Sequence, residues 1–195
     1  MLGTVKSKPS AQAVAPHPLD PLTAEEITAA CTLARAAAVS PENCRFPMVR
    51  LEEPTKQELA TGGAGRCAFV LTLDITTGEA IEHIIDLGRS AIVDRNIVPN
   101  RAAPYGQPPV MLEEFFKCEA VVKADPAWRA AMVRRGLSDK DIELVQVDPF
   151  SSGFFDKEFE RGARIVRAVS YFREHLQDNG YAHPIEGLCA VIDLD

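Results

Sequence analysis

Along this chain the spacing of apolar residues switches from a helical period to a period of two, and it does so twice. Residues 1–18 come first; they are small, polar and proline-bearing without periodicity, which predicts a disordered tail. Thr23 with Glu26 three residues later forms a capping box, and Ile27, Ala30, Cys31, Ala34, Ala37 and Ala38 line one face of the helix it opens. Ser40-Pro41 ends that helix, since proline disfavours the helical conformation in the residue before it. Strands are then expected over residues 46–52, 67–75, 81–87 and 91–98, with a short capped turn over 55–59. The second of these strands alternates most clearly, with Cys67, Phe69, Leu71, Leu73 and Ile75 on one phase. Thr76-Thr77-Gly78 supplies the turn that follows it. One helix over a four-stranded antiparallel meander is the assembly this pattern predicts.

Residues 100–109, rich in proline, alanine and glycine, read as a linker, after which the pattern restarts. Leu112, Phe115, Phe116 and Val122 mark a helix; Asp125 as N-cap with Pro126 at the first helical position opens another, which Gly136 ends. Ser138 with Asp141 caps a short turn, and strands are expected over residues 142–148, 163–172 and 187–195. The fold class is therefore α+β, with helices packed on an antiparallel sheet in each of two consecutive units. The expected division is a tail over residues 1–18, a first domain over 19–103 and a second over 104–195. Leu188, Ala190, Ile192 and Leu194 alternate up to the last residue. A hairpin turn and a returning strand are expected beyond them, so the second domain reads as truncated at its C-terminal end.

Composition changes this picture little. Hydrophobic residues make up 46% and charged residues 25%, an ordinary globular balance, and the formal net charge is -7. Acidity with scattered basic residues argues against nucleic acid and anionic membrane as partners. No apolar run has the length of a membrane span and no apolar signal region opens the chain, so a cytoplasmic location is expected. The five cysteines are widely spaced and odd in number, and are expected as buried or half-buried thiols.

The candidate chemistry is sparse. Asp74 and Asp86 fall on the polar phase of their strands and read as solvated. His83 shares a phase with Ile81 and Ile85, which predicts a satisfied core or interface histidine. None of the four histidines forms a His-x-His or His-x-x-x-His pair, so no metal site is expected. Thr61-Gly62-Gly63-Ala64-Gly65 precedes a strand, whereas a phosphate loop opens a helix, so a flexible loop is expected there. Ser151 and Ser152 lack the context of a nucleophile elbow, and Trp128 belongs to a helical core face. Phe150, Phe154 and Phe155 follow a strand end in a loop holding Pro149 and Gly153, and they point equally to core or to interface.

That loop carries a resemblance. Val147-Asp148-Pro149-Phe150-Ser151-Ser152-Gly153 resembles the third domain of the copper-dependent primary-amine oxidases. Leu19-Asp20-Pro21-Leu22-Thr23 with Glu25-Glu26-Ile27 resembles the family's opening helix, residues 164–172 one of its strands, and Tyr181-Ala182-His183-Pro184-Ile185-Glu186-Gly187-Leu188 its approach to the next. The likeness spans residues 19–195 in order. It implies two cystatin-like domains, N2 and N3, ahead of a catalytic β-sandwich in a homodimer. The family oxidises primary amines to aldehydes with release of ammonia and hydrogen peroxide. It uses copper and a quinone (TPQ) made from the tyrosine of an Asn-Tyr-Asp/Glu motif. Here Tyr105, Tyr171 and Tyr181 follow Pro104, Ser170 and Gly180, so the chain is expected to bind neither cofactor and to be inactive alone. The resemblance implies one site residue: Phe150 stands where the family places an aromatic, usually tryptophan, of the amine entrance channel. A stand-alone cystatin-like binding module is the alternative. A cystatin-type inhibitor is disfavoured, because Gln12-Ala13-Val14-Ala15-Pro16 lacks the glycine of Gln-x-Val-x-Gly.

Overall fold

The computed structural model describes residues 17–63, 65–151 and 153–195. Most of the expected tail, with Gln12 to Pro16, lies outside them, as do Ala64 and Ser152. His17 and Pro18 are placed. Their carbonyls, with those of Asp20 and Pro21, accept from the Arg66 guanidinium at 3.0, 3.5, 2.8 and 2.8 Å. Arg66 also grips both oxygens of Glu26, at 2.6 and 2.9 Å, and this bond holds the Glu26 carboxyl below its usual range.

The first helix, α1 (Ala24–Ala36), starts as expected. The Thr23 hydroxyl accepts from the Glu26 amide, and the Glu26 carboxylate accepts from the Thr23 amide. Strand β1 (Cys44–Glu52) is followed by the short helix α2 (Lys56–Thr61) and by β2 (Cys67–Asp74), β3 (Ala80–Asp86) and β4 (Ala91–Ile97). They form one antiparallel sheet in the order β1-β2-β3-β4. Helix α2 runs two residues past the turn expected over 55–59, and Gly62, at φ +68, ends it in the left-handed region that glycine reaches without a Cβ clash.

Helix α1 buries Ala30 and Ala34 against Ala68, Val70 and Ile85. Thus the phase of β2 under the helix is the one with the smaller side chains, because two alanines let the helix approach closely. Leu71, Leu73 and Ala80 are buried as well, so the middle of this sheet is covered on both faces, and Ile27 at the helix start stays exposed.

His83 is 1% exposed beneath the same helix. The Thr72 hydroxyl donates to the Ile81 carbonyl at 3.3 Å, so its lone pairs accept from His83 Nε2–H at 3.2 Å. Nδ1 is left without a partner among the described residues; the expected core position is found, the expected full satisfaction is not. Burial, with Arg95 adding, holds this imidazole below its usual value. The unfolded state therefore binds the proton more readily, and folding stability is present above about pH 6.5 and is lost as pH falls below it. The unfolding free energy from urea titration is expected to drop between pH 7 and pH 5.5, by no more than about 1.4 kcal/mol per pH unit for this one proton. His83→Leu should flatten that dependence.

The second sheet follows three helices: α3 (Leu112–Ala124), α4 (Pro126–Arg134) and α5 (Asp139–Leu144). Its strands β5 (Gln146–Phe150), β6 (Ile165–Tyr171) and β7 (Ala190–Asp193) pair antiparallel in that order. The strand expected over residues 142–148 is corrected. Ser138 and Asp141 close a capping box that starts a real helix, Ile142 plugs the core from it, and the strand begins only at Gln146. The core joins Cys118, Val122, Trp128, Met132, Ile142, Val145, Val147, Val166 and Ala168. Ile185 N–H donates to the Ser170 carbonyl, so Ser170 faces away from β5. Val147↔Ser170 and Pro149↔Ala168 are then the non-hydrogen-bonded pairs of the β5-β6 ladder, and the nitrogen of Pro149 points outward without forfeiting a bond.

The two sheets meet across a cleft of about 480 Å³. Leu73 and Ile75 line it from one side, Glu114, Cys118 and Arg164 from the other. The Arg101 guanidinium donates to the Thr77 carbonyl at 2.9 Å and the Asn100 amide to that of Gly78, tying the linker to the β2-β3 turn. All five cysteines are free thiols, and Cys189, expected to be at least half-buried, is exposed just ahead of β7.

Candidate functional site

Strand β5 places the residues of greatest interest by its period of two. Val147 and Pro149 are buried, so Gln146, Asp148 and Phe150 fall on the other face, and Phe150 is exposed at the strand end. Asp148 accepts from the Tyr181 hydroxyl at 2.9 Å, which pushes the Tyr181 pKa up, and the Tyr181 ring meets Tyr171 edge-on at 5.1 Å.

Across the ladder from Phe150 stands Arg167. Its guanidinium pairs with Glu160 and lies 4.9 Å from the centre of the Phe155 ring. The Glu160 carboxylate also accepts from the amides of Phe155 at 2.8 Å and Lys157 at 3.0 Å. The Arg167 hydrogen bond, more than these amides, holds the Glu160 carboxyl below the usual range. One buried carboxylate thereby folds the loop after β5 back over the sheet. Tyr105, in the left-handed region at φ +57, stacks on Phe154 with centres 5.3 Å apart, which fastens the linker to that loop. Phe150, Phe154, Phe155 and Phe159 are 46–59% exposed, so the three aromatics that pointed equally to core or interface lie at the surface.

The remaining sequence candidates do not converge on this surface. Asp74 accepts from the hydroxyl and amide of Thr76, which lowers its pKa, and closes the β2-β3 turn. Asp86 caps the next turn through the Arg89 amide. Trp128 is core, with its indole N–H donating to Ser170 at 3.1 Å. Arg167, Glu160 and Gln107 escaped sequence reasoning: each is an ordinary polar residue in sequence, and only the fold brings it to the aromatic loop. A spacing signal existed for Glu160 and Arg167 alone, seven residues apart across one loop and strand.

Among the described residues no group of three His, Cys, Asp or Glu side chains converges to hold a metal ion, and no helix is long and apolar enough to cross a membrane.

Residues 23–95 match the family model of the AGAO-like N2 domain, and residues 113–195 that of the copper amine oxidase N3 domain. A primary amine oxidase of Arthrobacter sp. (strain P1) is 35% identical over 180 residues, which cover 92% of this chain and 27% of that protein. A histamine oxidase of Arthrobacter globiformis is 35% identical over 185 residues, covering 94% and 26%. The chain thus spans about a quarter of the length of these relatives. A copper-containing benzylamine oxidase from Hansenula polymorpha shares the fold, with a TM-score of 0.65 at 19% identity over 87% of this chain and 27% of that one.

Proposed function

Residues 23–95 and 113–195 of this chain being the N2 and N3 domains of the copper amine oxidase family, we propose that the chain serves as the non-catalytic N-terminal region of a primary-amine oxidase. In this reading it divides at about residues 103 and 104, packs on a catalytic β-sandwich within a homodimer, and helps shape the entrance by which amine reaches the reaction centre. Phe150 supplies an apolar wall of that entrance. The observation that carries the reading is the outward aromatic surface around Phe150, built on the domain that matches N3.

The residues of this chain do not fit the family's cofactors. No donor set for copper converges among the described residues, and no asparagine precedes Tyr105, Tyr171 or Tyr181 to make the tyrosine-derived quinone (TPQ). No step of amine oxidation is therefore routed through these side chains. The five free thiols support a reducing compartment such as the cytoplasm.

The test has two arms. The purified chain, given Cu(II) and a primary amine, should release no hydrogen peroxide; steady peroxide production from pure material would overturn the reading. In an oxidase that carries this chain as its N-terminal region, Phe150→Ala should raise KM for an arylalkylamine roughly 3- to 10-fold at unchanged kcat, the worth of one aromatic contact. An unchanged KM would remove Phe150 from the entrance.

A further inference from the structure

We propose that Asp148 is a specificity-determining residue of the amine entrance: its carboxylate receives the ammonium group of the incoming amine while Phe150 takes the hydrocarbon behind it. This rests on the entrance role of Phe150 proposed above. Asp148 and Phe150 are alternate residues of β5, and with Val147 and Pro149 buried, both stand on the outer face of the second sheet. Side chains two residues apart on a strand are about 7 Å from one another. An arylalkylamine covers such a span between its nitrogen and its ring.

The carboxylate is held in place and still has an oxygen to give. Oδ2 accepts from the Tyr181 hydroxyl at 2.9 Å, and the Tyr181 ring is itself set edge-on against Tyr171. Oδ1 has no partner among the described residues and is not buried, so solvent reaches it. No ion pair among the described residues uses Asp148, and its neighbour across the ladder, Val169, is uncharged. Arg167 stands across from Phe150, where a bare guanidinium would repel an ammonium ion, but the Glu160 carboxylate neutralises it. An apolar ring beside an uncompensated carboxylate is the surface that suits a protonated primary amine. An uncharged amide would also accept from Tyr181, so that tether alone does not call for an aspartate.

The experiment follows oxidation of 2-phenylethylamine at low and at high salt, in an oxidase that carries this chain as its N-terminal region. Asp148→Asn keeps an oxygen to accept from Tyr181 but loses the charge. It should raise KM roughly 2- to 5-fold at low salt with kcat unchanged, the worth of one partly exposed ion pair. The rise should shrink at high salt, where that attraction is screened, and Asp148→Glu should keep KM near that of the parent. An unchanged KM in Asp148→Asn would overturn the proposal. So would a rise of equal size at both salt concentrations and in Asp148→Glu, which would make Asp148 a tether for Tyr181 alone. If Phe150→Ala raises KM while Asp148→Asn does not, the entrance role of Phe150 stands and that of Asp148 falls. If neither variant moves KM, both fall together.

Discussion

Replacing Arg164 with methionine is expected to destabilise the second sheet and its helices by about 3–5 kcal/mol, the cost of breaking a buried ion pair from one side. The Arg164 side chain is 4% exposed and that of Glu114 10%, and they meet through two bonds of 2.5 and 3.1 Å. The same carboxylate accepts from the Met111 amide at 2.7 Å, which starts α3. Removing the guanidinium leaves that carboxylate in the wall of the inter-sheet cleft with its charge uncompensated. Arg164 Nε has no partner among the described residues, so the pair is held by the two outer nitrogens. The double variant Arg164→Met with Glu114→Leu should regain most of the loss, because an apolar pair of similar volume carries no desolvation cost. Trp128, the single tryptophan, lies in the core of the same helices and sheet, so its fluorescence through a urea titration reads the transition directly. A loss below about 1 kcal/mol would place the pair in effective contact with water.

Trp128 itself is the second large contributor. Trp128→Ala should cost about 3–5 kcal/mol, as large-to-small changes of buried aromatics do. Trp128 is 4% exposed in a core it shares with Val122, Met132 and Val147. Trp128→Phe separates the ring from its polar end. It keeps much of the apolar area but strands the buried Ser170 hydroxyl, for a loss of about 1–3 kcal/mol. Thermal melting followed by far-ultraviolet circular dichroism measures both. Equal losses for the two variants would show that the hydrogen bond, and not the packing, dominates.

What could be read in the sequence was whatever is encoded locally. Thr23 and Glu26 announce α1, Asp125 and Pro126 announce α4, and the alternation of residues 67–75 announces β2; the structure builds all three. The failure at residues 142–148 was also local. Ile142, Leu144 and Val145 satisfy a strand and a short helix alike, and the Ser138–Asp141 box decides for the helix. By contrast, the strongest polar contacts join residues far apart: Arg66 with Glu26, Arg164 with Glu114, Trp128 with Ser170. Nothing in local spacing pairs them. Around Phe150 the exposed ring follows from alternation along β5, but the linker residues Tyr105 and Gln107 reach it only through the tertiary fold.

The proline in β5 has a consequence for how copies of this chain can associate. Along its outer rim β5 would offer the donors of residues 147 and 149, and Pro149 has none, leaving Val147 as the one N–H there. A strand laid on that rim from another molecule would find a ladder with its middle rung missing. One imino acid thus closes this edge of the second sheet to lateral pairing, where an unbroken row of donors would have invited it.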